Sequence, residues 1–404
     1  MTAERARAFR TRRATSGEQI GGVILGGDSQ GLGIARSLGR HGIPVCVIDD
    51  ETSISRASRF VQHSVRVHDL RSESSLLDAL AVARNRYGLS GWVLYPTRDE
   101  NVAALAANRD TLARDFRVPT PSVASIRHVW DKRETYQLAE KLSISIPRTW
   151  FPRSEADLDD IEVSGPLVVK PAIKEHFFYA THVKAWRADD RIELAAAFRR
   201  AAEIVDDGEV IVQELVPGGG QEQYAYCALF RAGEPVASMT VRRCRQHPSD
   251  FGRASTYVET ISLPDLAQPA SKFLKNIDYY GLVELEFKHD ARDGAYKLLD
   301  VNARTWGYHS LGGPAGVDFP YLLYQDQLGR PIGEAHARPG VRWIRLTTDV
   351  PNAVRDISAR KLRARDYLRT LFSVNTEAVF SLRDPLPGLY ELALLPYLAV
   401  KRGL

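Results

Sequence analysis

Two apolar runs carry acids at alternate positions. They are Gly281-Leu282-Val283-Glu284-Leu285-Glu286-Phe287 and Leu298-Leu299-Asp300-Val301-Asn302-Ala303-Arg304. With Asp290-Ala291-Arg292-Asp293-Gly294 as the turn, they read as a β-hairpin. Side chains alternate across a strand, so Glu284 and Glu286 share one face while Val283, Leu285 and Phe287 take the buried one. On the second strand Asp300 and Asn302 share a face, with Leu299 and Val301 behind them. Three carboxylates and an amide then converge beside Arg304. Like charges at that range repel, and a hard divalent cation resolves the repulsion. An all-oxygen donor set suits magnesium held together with substrate phosphates. The competing reading is the solvated face of an edge hairpin.

Cations elsewhere could meet such phosphates. Lys170 ends the apolar strand Leu167-Val168-Val169-Lys170-Pro171, where a lysine points inward or needs an anion. Lys132 follows Asp131 in a helical stretch, Ser122 to Leu142; taken alone it is a surface lysine. Arg242, Arg243 and Arg245, followed by His247, come just after a predicted strand and read either as a solvated basic loop or as cleft residues. Ala172 to Lys184 is a glycine-free segment carrying Lys174, His176, His182 and Lys184. Its two histidines are candidate bases, although histidines in loops are mostly solvated.

The elements that must position these groups change character along the chain. Strands are expected at Ile20 to Leu25, Val45 to Ile48, Arg59 to Val67 and Trp92 to Tyr95, with helices through Arg40 and from Ser72 to Tyr87. Such alternation implies a parallel sheet. The turn Gly26-Gly27-Asp28-Ser29-Gln30-Gly31-Leu32-Gly33 could admit a ligand at a helix N-terminus. Asp49 stands where a dinucleotide-binding acid would, but Gly26-x4-Gly31-x-Gly33 is not the G-x-G-x-x-G spacing. A small-substrate site and a structural tight turn are the other readings. After about Pro121 come helices, the extended exit Ile146 to Trp150, a helix Glu193 to Val205 and a strand Val210 to Pro217. A hairpin of Tyr224 to Phe230 with Pro235 to Val241 follows. Beyond Arg330 one strand, Val341 to Leu346, precedes mostly helical material.

The chain has 404 residues, 44% hydrophobic and 26% charged, enough for two or three globular domains. A net charge of +4 with no basic stripe argues against nucleic acid as a partner. Arg5 to Arg13 holds five arginines and reads as a disordered tail. No run reaches the length of a transmembrane helix. Cys46, Cys227 and Cys244 lack metal spacing and read as buried thiols of a reducing cytoplasm. The apolar last helix, Tyr390 to Arg402, is expected to dock on its own domain rather than on a membrane surface.

Asp131-Lys132, Val169-Lys170-Pro171, Gln213-Glu214-Leu215-Val216-Pro217-Gly218, Glu222, Glu286 and Asp300-Val301-Asn302-Ala303-Arg304 occur in the order and approximate spacing of the ATP-grasp superfamily. The resemblance covers about residues 120 to 315. It implies a multidomain α/β and α+β chain. Residues 1–19 would be the tail and 20–120 a parallel-sheet substrate domain. Residues 121–330 would be a two-lobed ATP-grasp domain with its small lobe at about 150–216, and 331–404 a C-terminal extension. It implies that Lys132 and Lys170 bind phosphate, that Glu214, Leu215 and Val216 form the adenine hinge, and that Glu222 holds the ribose hydroxyls. Glu286, Asp300 and Asn302 would hold magnesium, or manganese in its place. Arg243 would steady the transferring phosphoryl group and Arg304 would clamp the phosphate or the acid. The segment after Lys170 departs from the family in lacking the glycines of its phosphate-covering loop. The implied activity is an ATP-dependent carboxylate–amine ligase of the D-aspartate ligase type, with small carboxylate and amine substrates and with homodimers common among relatives. The loops at Gly27-Asp28-Ser29 and Thr97-Arg98-Asp99-Glu100 would line its acid or acceptor pocket. A small-molecule kinase on the same scaffold, a non-catalytic nucleotide-binding module and an NAD(P) oxidoreductase are the alternatives.

Overall fold

Runs of branched apolar residues form the first sheet. In a computed structural model that describes residues 19–248, 252 and 254–402, these are Gly22–Leu25 (β1), Val45–Asp49 (β2), His63–Arg66 (β3) and Val93–Pro96 (β4). They pair in parallel in the order β3-β2-β1-β4. β1, β2 and β4 are buried throughout because helices cover both faces. Ile24, Val47 and Tyr95 pack toward Leu32, Ala35 and Leu38 of the helix Ser29–Arg40. Val23, Cys46 and Leu94 pack the other way, toward Leu76, Leu80 and Leu105 of the helices Glu73–Tyr87 and Asp99–Ala107. The strand expected over Arg59 to Val67 is shorter, because its first residues form a turn after the 3-10 helix Ile54–Ala57. The arginine-rich tail lies outside the described residues.

A second sheet is antiparallel, in the order β5-β8-β6-β7: Thr149–Trp150 (β5), Leu167–Pro171 (β6), Trp186–Ala188 (β7) and Val210–Glu214 (β8). The helix Arg191–Ala202, capped by Asp190, covers one of its faces with Leu194, Phe198 and Ala201. Its other face borders a cleft. The segment after Lys170 is not wholly loop: Lys174–Thr181 forms a short helix, ended by His182 in the left-handed region at φ 58°.

The third sheet has eight strands: Gln223–Arg231 (β9), Glu234–His247 (β10), Ala254–Thr260 (β11), Gly281–Asp290 (β12), Ala295–Asn302 (β13), Ala335–His336 (β14), Arg342–Ile344 (β15) and Thr376–Glu377 (β16). Its spine runs β13-β12-β9-β10-β11-β15-β16, with β14 beside β10. Two corrections arise here. β10 continues for 14 residues to His247, so Arg242, Arg243 and Arg245 lie inside a strand rather than after one. The region beyond Arg330 supplies three short strands, not one, with the helices Leu346–Ser358 and Ala364–Phe372. The last helix spans Leu386–Arg402 and packs Tyr390 and Leu394 against the core. Among the described residues no helix is long and apolar enough to cross a membrane.

Candidate active site

The acidic hairpin forms as the alternation requires. Glu284 stands opposite Asn302 and Glu286 opposite Asp300, while Val283, Leu285 and Phe287 are fully buried behind them. A register shift beside Glu286 leaves Leu299 without a cross-strand partner. A bulge of this kind re-aims a side chain. Leu299 therefore lines the cleft on the acidic side instead of lying behind the sheet, which corrects the alternation-based expectation.

The carboxylates are not left alone. Arg243 is buried; its Nη2 donates to Glu286 Oε2 at 3.1 Å and its Nη1 to Gln223 Oε1 at 2.6 Å. Lys132 Nζ donates to Asp300 Oδ1. Tyr308 donates its hydroxyl proton to Glu284 Oε1, and Asn302 Nδ2 donates to Glu284 Oε2 at 3.1 Å. Burial and the neighbouring Glu286 charge push the Glu284 carboxyl up to about 7. Burial works the same way on Glu286, but Arg243 and Lys184 outweigh it and its net shift is downward. One of two adjacent acids is thus held neutral more readily than the other.

Lys170 is placed by two partners. Its ammonium donates to the Tyr136 hydroxyl and to Gln213 Oε1, each at 2.7 Å. Tyr136 in turn donates to the Leu299 carbonyl at 2.7 Å, tying the lysine to the bulge. Lys132 opens the helix Lys132–Lys141, for which Asp131 is the N-cap. Lys132, Lys170, Glu286 and Asp300 all line one cleft of about 660 Å³ between the second and third sheets. Val168, Leu215, Val216 and Leu299 give it apolar walls, and Glu214 to Gly220 its far end. That combination of flat apolar wall and clustered cations over a pair of acids suits a nucleotide with its phosphates.

Glu214 is fixed rather than mobile: its carboxylate accepts from Arg148 N–H at 2.9 Å, Lys297 Nζ at 3.0 Å and Arg292 Nη2 at 2.9 Å. Burial raises its pKa, and these donors outweigh that to leave it lowered. Glu222 does not fit its implied place. It is not among the residues lining the cleft and faces His289 Nδ1 at 3.3 Å, while its neighbour Gln223 lines the cleft. Glu222 ends the 3-10 helix Gly220–Glu222, whereas Gln223 begins β9. Arg242 is exposed, 3.5 Å from Glu259, and Arg245 turns away to Asp349 through two bonds of 2.9 and 2.8 Å. Of the three arginines, Arg243 faces the cleft. His182 is exposed at the end of its helix.

A second cleft of about 350 Å³ opens toward the first sheet. Its walls include Asp28, Ser29 and Gln30, then Thr97 to Glu100 after β4, and Phe178 and Tyr179 of the short helix. Arg304 lies in it, bonded to Asp99 through Nε at 2.9 Å and Nη2 at 3.2 Å. Tyr179 donates to Glu100 in the first turn of the helix Asp99–Ala107, and Arg71 stacks over its ring at 4.2 Å, so the second sheet's helix is fastened to elements of the first sheet's domain. Asp49 is occupied internally, accepting from Gly27 N–H at 2.7 Å and Arg98 at 3.0 Å. Lys184, Arg243, Glu286 and Asp300 border both clefts. Sequence reasoning missed Tyr136, Leu299 and Tyr308. Only Leu299 carried a signal, as an apolar residue beside the acids.

The donors suit a divalent cation. Glu286 and Asp300 face each other, and each carboxylate has drawn a cationic side chain to itself. Asn302 lies beside them, its Nδ2 donating to Glu286 Oε1 at 3.3 Å and its Oδ1 accepting from Arg304 Nη2 at 3.2 Å. Among the described residues no group of three His, Cys, Asp or Glu forms a metal cage. Two carboxylates and an amide match an ion that completes its shell with phosphate oxygens and water.

No family model matches the sequence. The chain is 24% identical over 300 residues to a D-aspartate ligase of Enterococcus faecium (strain Aus0004), covering 70% of each. Its fold is similar to that of an L-amino acid ligase from Bacillus licheniformis, with a TM-score of 0.62, 17% identity, and 80% of this chain and 78% of that one covered. It is similar again to N5-carboxyaminoimidazole synthetase from Staphylococcus aureus complexed with ADP, with a TM-score of 0.60, 12% identity, and coverages of 78% and 79%. The chain shares the fold of these two enzymes of known structure and, in sequence, is similar to the D-aspartate ligase.

Proposed function

We propose that the chain joins a small carboxylate to an amine at the expense of ATP, with the nucleotide in the larger cleft and the acid in the smaller one. The observation that carries this reading is the shared border: Lys184, Arg243, Glu286 and Asp300 belong to both clefts. A γ-phosphoryl group placed there meets a carboxylate from the other side.

In this reading a substrate carboxylate oxygen attacks the γ-phosphorus, the bond to the ADP oxygen breaks, and an acyl phosphate forms. The amine nitrogen then attacks the acyl carbon, phosphate leaves with its bonding pair, and loss of a proton from nitrogen gives the amide. Lys132, Lys170 and Arg243 offer fixed positive charge where phosphate charge gathers. Arg304, pinned by Asp99, holds the acid or its acyl phosphate through a planar fork. When bound, magnesium or manganese at Glu286, Asp300 and Asn302 would neutralise phosphate oxygens. The hinge Glu214 to Val216 and the side chain of Leu299 receive the adenine. Gln223 rather than Glu222 is the polar group on hand for the ribose. A substrate domain up to about residue 120 faces the smaller cleft, the nucleotide-binding domain runs on to about residue 330, and a C-terminal extension follows.

The test is release of ADP and phosphate with magnesium, screened over amino acids paired with small carboxylates, with hydroxylamine to trap the acyl phosphate as a hydroxamate. An acid that supports hydroxamate formation supports the ligase reading. ADP release with hydroxyl compounds alone, and no hydroxamate from any acid, would replace it with a kinase.

A further inference from the structure

The last helix has two apolar faces; among the described residues one packs inward and the other stays about half exposed. Tyr390 and Leu394 pack inward against the core, and Glu391 is fully buried against Arg345 at 2.8 Å. On the outer side Leu386, Leu389 and Leu392 are between 47 and 61% exposed, spaced by three residues, and Pro396 and Tyr397 continue the stripe. Leu382, just before the helix, is fully exposed. No charged residue interrupts this outer face between Leu386 and Tyr397. Isolated exposed leucines are ordinary, but an unbroken row of them marks a contact surface.

Charge around the row is sorted by sign. The acids of residues 376–397 all turn inward. Asp384 accepts from Arg36 and Ser58, Glu391 from Arg345 and Thr347, and Glu377 from the N–H groups of Leu346 and Val379. Arg36 and Arg345 turn inward to meet these acids, and three other arginines turn outward. Arg383 is exposed beside Leu382, and Arg59 is exposed with Nη1 donating to the Arg383 carbonyl at 3.2 Å. Arg56 is exposed on the 3-10 helix that packs beside the last helix. An apolar row rimmed by cations matches a partner that is apolar within and anionic at its border. A second copy of the same face would bring arginine against arginine across a two-fold axis.

We propose that this face is a peripheral docking surface for an anionic phospholipid bilayer, with the leucine row seated among the acyl chains and Arg56, Arg59 and Arg383 among the phosphates. At 17 residues the helix is too short to span the bilayer and lies along it instead. Its inner face docks on its own protein, as the sequence suggested, while the outer face departs from that expectation. The inference does not depend on the ligase reading.

The test is co-sedimentation of the full chain with vesicles of phosphatidylglycerol and phosphatidylcholine, and with pure phosphatidylcholine. Binding is expected on the anionic vesicles, weakened by salt. It should fall by about tenfold or more in Leu386→Asp/Leu389→Asp, because each leucine removed from the acyl region forfeits its transfer free energy. Arg59→Gln/Arg383→Gln should bind several-fold more weakly. Thermal unfolding of each variant checks that the fold survives; Leu→Asn at the same positions serves if the aspartates do not fold. The proposal is overturned by equal binding of wild type and leucine variants, which would place the contact elsewhere, the arginine-rich N-terminus included. It is also overturned by absence of vesicle binding, or by a wild-type dimer that the leucine substitutions convert to monomer without any lipid effect.

Discussion

Arg304 and Asp99 join the acidic hairpin to the first sheet. The Arg304 guanidinium, two residues beyond β13, meets the carboxylate that opens the helix Asp99–Ala107 through bonds of 2.9 and 3.2 Å. Burial opposes the charge of Arg304, and the Asp99 carboxylate more than offsets it, so the arginine remains fully charged. The pair fixes one orientation of the fork at the border of the smaller cleft. Under the ligase reading, Asp99→Asn keeps the shape but loosens that orientation. Acid-dependent ADP release should fall about tenfold to a hundredfold, the scale on which small misplacement costs rate, while nucleotide binding stays unchanged. Arg304→Lys should fall at least as far, since a point charge cannot copy the fork. Steady-state kinetics beside nucleotide titration separates the two effects.

Lys170 yields a complementary expectation. Its partners Tyr136 and Gln213 are uncharged, so its positive charge is not neutralised by its own contacts. Lys170→Met should weaken ATP binding about tenfold or more, with a smaller effect on the acid's KM. Loss of the ammonium also leaves Gln213 Oε1 without that donor, at a cost of about 1 to 3 kcal/mol of stability. Isothermal titration with a nonhydrolysable ATP analogue and a denaturant melt measure the two consequences independently.

The paired acids predict a metal phenotype. Glu286→Gln removes the charge that Arg243 faces, and Asp300→Asn the one that Lys132 faces. Each should raise the magnesium concentration needed for half-maximal turnover by about tenfold or more, and manganese should restore part of the rate. Chelation of the divalent ion should abolish turnover in the wild type. A variant with an unchanged metal requirement would remove that residue from the ligand set.

The hairpin was legible because its signal is local. Period-two alternation with acids on one face and Val283, Leu285 and Phe287 on the other leaves a single sensible register. Lys170 was legible for the same reason, as a charge at the end of an apolar strand. The bulge that turns Leu299 into the cleft was not, because it depends on how β12 and β13 slip past each other. The length of β10 was hidden by its own arginines, whose polarity reads as a loop until Glu286 and Asp349 are seen to receive two of them. Glu222 and Gln223 differ by one position, but a 3-10 helix gives way to a strand between them, and Gln223 is the one that lines the cleft. Arg36 and Asp384 lie 348 residues apart, beyond the reach of any local pattern.

Leu299 offers a sharper test of that bulge. If its side chain forms part of the adenine wall, Leu299→Ala should raise KM for ATP several-fold and leave the acid's KM unchanged, because a truncated apolar contact costs about 1 to 3 kcal/mol at most. A core position would behave differently, with lost stability and little change in KM. The ratio of the two effects, from kinetics and a thermal melt on one preparation, decides between cleft and core.

Arg36 joins the first helix to the C-terminal extension. Its Nε donates to Asp384 Oδ2 at 2.9 Å, and Nη2 donates to the carbonyls of Val379 at 2.7 Å and Asp384 at 3.0 Å. Both side chains are almost wholly buried. Asp384 retains only Ser58 Oγ and Arg59 N–H if the arginine is removed. Breaking a buried pair from one side leaves an uncompensated charge, so Arg36→Ala should cost about 3 to 5 kcal/mol. Replacing both partners, Arg36→Leu with Asp384→Leu, should cost less than Arg36→Ala alone, because no charge is then stranded. The site lies elsewhere, so turnover per folded molecule should be unchanged at low temperature in both variants. Denaturant melts of the single and double replacements measure the difference, and an additive result would show that the two residues are not coupled.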